Sequence, residues 1–202
     1  MSRADSTAMM LRSLRRPTLQ REYGNLAKQA ESESWSFEQY LKVLLELEMA
    51  ERAERRIERL LKRSGLPEGK NLATLDQKLL PVKVRRQIPA LVDGGFVERA
   101  ENILAFGLPG RGKTHLLAAI ARELVMRKGC AVLFTSTHRL VEQLLVAKRE
   151  LEIEKMFKKL DRFEVVVLDD IGYVQQSREE MEVLFTFLSE RYERRSLMIT
   201  PN

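Results

Sequence analysis

Apolar residues recur every three or four positions along the first third of the chain, then give way to short unbroken apolar runs. The clearest helical face carries Phe37, Tyr40, Leu41, Leu44, Leu45, Ala53, Ile57, Leu60 and Leu61, a spacing that puts them on one side of a 3.6-residue repeat. Its start is signalled by Ser36 and Gln39 in an S-x-x-Q capping box, with Trp35 and Tyr40 at the staple positions. Gly65 marks its stop, with Pro67 just beyond. Upstream, Pro17-Thr18 opens a helix bearing Leu19, Tyr23, Leu26, Ala27 and Ala30, although Gly24 weakens its middle. Residues 1–16, with Met10, Leu11 and Leu14, fit a short helix or a loose arm.

Residues 65–98 read as helical pieces and turns, punctuated by Gly69, Pro81, Pro89 and Gly94-Gly95. From Phe96 the pattern changes. Apolar runs of strand length stand at 102–106, 131–135, 165–168 and 196–200, separated by helical periodicity after 115, through Leu140 to Leu160, and from Arg178 to Arg194. Strands alternating with helices predict an α/β unit with a parallel sheet. Val165-Val166-Val167-Leu168 has no polar alternation at all, as a strand covered on both faces requires. The predicted organisation is a helical domain at 1–66, a connector at 67–95 and an α/β core at 96–202.

The chemistry follows the first and third strands. Gly107-Leu108-Pro109-Gly110-Arg111-Gly112-Lys113-Thr114 fits G-x-x-x-x-G-K-[ST], placed between a strand and a helix start. Glycines there let backbone N–H groups face phosphates, and the helix N-terminus adds positive potential. Lys113 is placed to reach the β/γ-phosphates of ATP and the Thr114 hydroxyl to ligate Mg²⁺. Asp169 and Asp170 close the apolar run at 165–168, at the carboxyl edge where open α/β sheets bind ligands. Asp169 is the expected metal-side carboxylate, acting through a water because Mg²⁺ keeps much of its hydration. Asp170 is the candidate that orients and deprotonates an attacking water.

Composition narrows the classes. No segment approaches the ~18 apolar residues of a membrane helix, and 44% apolar content over 202 residues supports a real core. The single cysteine, Cys130, excludes an internal disulfide, reads as packing, and points to a reducing cytoplasm. His115 and His138 stand without a cysteine or carboxylate cluster and make no metal site. Nothing resembles a kinase acceptor site or a transporter signature. The net charge of +6 is uneven: residues 1–100 hold 19 basic against 14 acidic side chains, and residues 101–202 hold 16 against 15. Arg52, Arg55, Arg56, Arg59, Lys62 and Arg63 concentrate the excess on one helix. They can neutralise the phosphates of double-stranded DNA. They can equally pair with the interleaved Glu51, Glu54 and Glu58, Glu51 with Arg55 and Glu58 with Lys62, as a solvated face.

Three stretches resemble a known family: G-L-P-G-R-G-K-T-H at 107–115, V-V-V-L-D-D-I-G-Y at 165–173 and L-S-E-R-Y-E-R-R-S-L-M-I-T-P-N at 188–202. Together with L-R-R-P-T-L-Q-R-E-Y at 14–23 and E-R-R-I-E-R at 54–59 they are similar to the IstB-type transposition helpers, AAA+ proteins close to the DnaC-type helicase loaders. The resemblance implies a P-loop, RecA-like AAA+ sheet behind a small all-helical domain. It also implies a cytoplasmic ATPase that self-associates on DNA, assists a cognate transposase and needs no membrane. It carries the phosphate role to residues 107–114, Mg²⁺ to Thr114 and Asp169, the catalytic water to Asp170, and a polar sensor role to Asn202. A helicase loader and a hydrolysis-deficient, nucleotide-gated interaction module are the competing readings. Many relatives carry Glu at the position of Asp170. The family also continues with a fifth strand beside the first and with an arginine acting in trans on a neighbour's ATP. The expectation is therefore a sheet incomplete after its fourth strand, an exposed edge on the first strand, and feeble hydrolysis.

Overall fold

The structure is a computed structural model, and it describes residues 3–172 and 177–201. It divides into two compact units, residues 1–58 and 59–202.

The first unit holds α1 (Arg3–Ser13), α2 (Pro17–Ser32) and most of α3 (Phe37–Ser64). The first segment is therefore a helix, and α2 runs through Gly24 unbroken. Pro17 at its first position is tolerated because that N–H has no intrahelical partner. No side chain of its own caps α2. Instead Glu48, buried on α3, accepts from the Thr18 and Leu19 amides at 3.1 and 3.2 Å. A carboxylate at the positive end of a helix is favoured both by the orphan N–H groups and by the dipole. Thr18 also donates its hydroxyl to Glu51, which ion-pairs with Arg55 at 2.9 Å and Arg21 at 3.3 Å. These bonds, Thr18's foremost and then Arg55's, hold the Glu51 carboxyl down at about 2. The Ser36 cap is made to the Gln39 amide at 3.1 Å.

In the second unit a turn at Gln77–Leu79 is followed by α4 (Val82–Asp93) and α5 (Gly95–Glu98). Then come β1 (Ile103–Leu104), α6 (Lys113–Glu123), β2 (Val132–Ser136), α7 (Thr137–Arg149), α8 (Ile153–Leu160), β3 (Val165–Asp169), α9 (Arg178–Arg191) and β4 (Ser196–Ile199). The strands are all parallel in the order β1-β4-β3-β2. Val165 to Leu168 have no solvent exposure, the burial that their lack of alternation predicts. Val166, Leu168, Leu197 and Ile199 pack with Leu140, Leu144, Val183 and Phe187 of α7 and α9. Helix α6, almost wholly apolar from Leu116 to Ala121, is buried beside β3 and α4. Beyond it a π-helical turn, Leu124–Lys128, ends at Gly129.

Arg191 is buried at the amino-terminal edge of the sheet. Its guanidinium donates to the carbonyls of Leu160, Phe163, Glu164 and Ser196 at 2.9–3.4 Å and lies 5.9 Å from the centre of the Phe187 ring. Burial pulls it down to about 10, so it stays charged at neutral pH. One side chain thus ties the ends of α8 and α9 to the starts of β3 and β4.

Among the described residues β1 pairs on one side alone, with β4. Leu104 on it, and Phe106 and Leu108 in the segment that follows, are exposed. An apolar strand edge of this kind invites pairing.

Candidate functional site

Parallel strands bring all their carboxyl ends to one edge. The loop 107–112 leaves β1 there, Asp169 ends β3, and Thr200 follows β4. The chain enters α6 through Gly112, which has φ 79° and so lies in the left-handed region where a side chain is disfavoured. The Gly112 carbonyl accepts the first helical bond, from Leu116 at 2.8 Å. The N-terminus of α6 therefore opens directly onto the loop.

The two predicted halves of the site meet. The Thr114 hydroxyl donates to Asp169 Oδ1 at 2.8 Å. The same oxygen accepts from the Thr200 hydroxyl at 2.7 Å, and Thr200 Oγ1 in turn accepts from the Asp170 amide at 2.9 Å. Thr200 has no solvent exposure. Behind them, Thr137 donates its hydroxyl to the Asp169 carbonyl at 3.0 Å. Asp170 has φ 59°. In that region Asp is enriched among non-glycine residues, and its short side chain can bond its own backbone. This conformation gives a local reason for Asp at this position.

Gly110, Gly112, Lys113, Thr114, His115, Asp170 and Lys70 line one cavity of about 260 Å³. The Lys113 ammonium donates to the carbonyls of Gly107 at 2.8 Å and Leu108 at 3.3 Å. On the other flank of the loop, Gly107, Leu108, Arg111 and Lys113 join Leu79, Pro81, Val84, Leu104 and Phe106 around an apolar recess of about 710 Å³. A recess of similar size, about 770 Å³, lies between α7 and α8 and is lined by Glu142, Lys155 and Arg162 among others. It holds neither a glycine cradle nor a carboxylate at a strand end, so it is not the candidate site.

Of the expected residues, the structure gathers Gly107, Leu108, Gly110, Arg111, Gly112, Lys113, Thr114, Asp169 and Asp170, while Pro109 lines neither cavity. Asn202 lies outside the described residues. On α3, Arg52 pairs with Glu48 at 2.9 Å and Arg55 with Glu51 at 2.9 Å. These two are committed to the helical unit, as the self-paired alternative expects. Arg56, Arg59, Lys62 and Arg63 are exposed. The sequence reading missed Thr200 and Lys70. The Nε2 atom of His115 lies 3.1 Å from both the Asn71 carbonyl and the Thr74 hydroxyl, which fastens the chain before α4 to the P-loop helix.

Hard oxygen donors from Thr114 and Asp169, side by side at the mouth of a glycine loop, are the donor set Mg²⁺ takes alongside phosphate. Among the described residues no cluster of three His, Cys, Asp or Glu competes as a metal site, and no helix is long and apolar enough to cross a membrane.

A parallel sheet of this order with a P-loop after β1 and a carboxylate ending β3 is the architecture of a P-loop nucleotide-binding domain. Solved structures agree on the fold. The DnaC helicase loader superposes with a TM-score of 0.54 at 24% identity, over 71% of this chain and 79% of the loader. DnaA from Aquifex aeolicus, bound to AMPPCP, gives 0.56 at 18% identity, over 69% of this chain and 44% of DnaA. The chain belongs to the IstB-like ATP-binding proteins, whose family model matches residues 9–202. It is 45% identical to an insertion-sequence ATP-binding protein of Sinorhizobium fredii, over 96% of this chain and 65% of that protein. The IS21 ATP-binding protein of Pseudomonas aeruginosa is 36% identical, over 88% of this chain and 67% of its own length. The chain thus spans about two thirds of the length of these relatives.

Proposed function

We propose that this chain binds Mg²⁺-ATP through residues 107–114, Asp169 and Asp170, and acts as an ATP-dependent, DNA-binding helper of a transposase. The observation that carries the nucleotide half is the 2.8 Å bond between Thr114 and Asp169, since it sets the phosphate cradle and the strand-end carboxylate at one point. Gly110 and Gly112 offer backbone donors to the phosphates, and Lys113 exchanges its carbonyl partners for the β- and γ-phosphates. Thr114 and Asp169 would hold Mg²⁺, which neutralises charge developing on the β/γ oxygens. Asp170 accepts a proton from the attacking water, and the Thr200 hydroxyl fixes the Asp170 backbone. The apolar recess beside Leu79 and Pro81 offers contact for the base.

The transposition half is supported by kinship with insertion-sequence ATP-binding proteins. The basic side chains of α3, Arg52, Arg55, Arg56, Arg59, Lys62 and Arg63, are those proposed to meet DNA phosphates. A helicase-loader role shares the fold with the DnaC loader, yet the family match favours transposition. The test is nucleotide and DNA binding by wild type and Lys113→Ala. Wild type is expected to assemble on DNA when ATP is present, with the cognate transposase recruited, and Lys113→Ala to do neither. DNA assembly indifferent to nucleotide would overturn the proposal. Capture of a replicative helicase in place of the transposase would shift it to the loader reading.

A further inference from the structure

We infer that Lys70 is a second cation of the nucleotide site and discriminates ATP from ADP by contacting the terminal phosphate. This rests on the nucleotide reading above. Lys70 stands outside the P-loop motif, in a strap between α3 and α4 that is fastened to the core along its length. At Gly65 (φ 66°), a Cβ would come within 2.8 Å of the Phe134 carbonyl on β2, so only glycine lets the strap lie that close. Arg122 of α6 donates to the Pro67 carbonyl at 3.3 Å. Asn71 Oδ1 accepts from the Ala73 and Thr74 amides at 2.9 and 3.0 Å, closing a turn that Thr74 ties back to the Gly69 carbonyl. His115, next to the proposed Mg²⁺ ligand Thr114, meets both Asn71 and Thr74.

These bonds hold the backbone on either side of Lys70, and the lysine lines the small cavity with Gly110, Gly112, Lys113, Thr114 and Asp170. That cavity, about 260 Å³, is below the roughly 300–1,000 Å³ of pockets that enclose drug-sized ligands. It suits a phosphate tail rather than a whole nucleotide. Asp170, the proposed water-orienting group, lines the same cavity, so the terminal phosphate belongs within the space that Lys70 also lines. A triphosphate carries more charge there than Lys113 alone balances. A lysine held near it strengthens ATP binding more than ADP binding, because ADP lacks the group it would contact.

The experiment is titration of the full chain with fluorescent ATP and ADP in Mg²⁺, comparing wild type, Lys70→Gln, Lys70→Glu, Lys70→Arg and Lys113→Ala, each checked by circular dichroism. Loss of one charge-assisted bond predicts that Lys70→Gln weakens ATP roughly tenfold or more and ADP less than about threefold. Lys70→Glu should be worse, and Lys70→Arg should restore the preference. Equal loss for both nucleotides, loss for neither, or no rescue by arginine would overturn the assignment. Should wild type bind neither nucleotide, the nucleotide reading itself fails and takes this one with it. Failure confined to the Lys70 variants leaves the nucleotide reading standing, as loss of binding by Lys113→Ala alone would show.

Discussion

Replacing Thr200 with valine tests the site geometry with almost no change of volume. The hydroxyl makes two bonds in a fully buried position, donating to Asp169 Oδ1 at 2.7 Å and accepting from the Asp170 amide at 2.9 Å. Valine keeps the shape and deletes both. A hydrogen bond to a charged group contributes about 1.5–3 kcal/mol and a neutral one about 0.5–1.5. The two ranges sum to about 2–4.5 kcal/mol; because the bonds share one atom and Asp169 keeps its bond from Thr114, the upper end is trimmed and the expected loss is about 2–4 kcal/mol. At roughly 4 °C per kcal/mol for a domain of this size, the melting temperature should fall by about 8–16 °C. Thr200→Ser retains the hydroxyl and should recover most of that. Thermal melts by circular dichroism, with and without Mg²⁺-ATP, provide the reading. A Thr200→Val melt within about 1 °C of wild type, or a serine variant no better than valine, would refute the idea that this hydroxyl joins the two aspartates.

Gly112→Ala forces a side chain into left-handed backbone; a loss of about 1–2 kcal/mol in urea unfolding, together with weaker ATP binding, is expected. In the helical unit, Glu48→Ala removes the acceptor for two α2 amides and should cost about 1–3 kcal/mol in chemical denaturation. Glu51 has its carboxyl lowered from 4.5 to about 2, so its contribution is complete above pH 4.5 and is lost as pH falls toward 2. Helical signal followed through that window should show an acid-sensitive leg that Glu51→Gln lacks. Arg191→Met removes the guanidinium's bonds to four carbonyls, of which those of Leu160 and Glu164 keep a backbone donor, and should destabilise the α/β unit by about 2–4 kcal/mol, visible as a lower denaturation midpoint. For DNA, each of Arg56, Arg59, Lys62 and Arg63 that meets a phosphate should, when made neutral, reduce the salt slope of binding by about 1.

Where the sequence reading succeeded, the signal was local. The apolar run at 165–168 has no alternation because both faces of β3 are covered, and a covered strand can be read without knowing its neighbours. Gly112-Lys113-Thr114 declares a loop entering a helix because the backbone there needs a glycine and the phosphate needs donors. Gly65 ended α3 as its position announced. Other features lacked such a mark. Leucine-poor residues 3–13 fit helix or arm equally, and Gly24 looked like a break in a helix that tertiary contacts carry through. For Arg52 and Arg55 the i,i+4 spacing left DNA contact and pairing with glutamate equally open; what the order of residues does not reveal is that Glu48 and Glu51 also serve Thr18 on another helix.

What the sequence determined by itself was therefore the inventory: four strands, the helices between them, a phosphate loop and two strand-end carboxylates, each written in contiguous residues whose spacing obeys backbone periodicity. Only the tertiary structure decided which groups share the site. The order β1-β4-β3-β2 inserts β4 between the P-loop strand and the aspartate strand, which is why Thr200, a strand-end threonine like any other in sequence, sits between Thr114, Asp169 and Asp170. The same holds for Lys70. Its place is set by Gly65, Pro67, Asn71 and Thr74 binding residues far along the chain, and hydrogen bonds across such separations follow from packing, which no local pattern encodes.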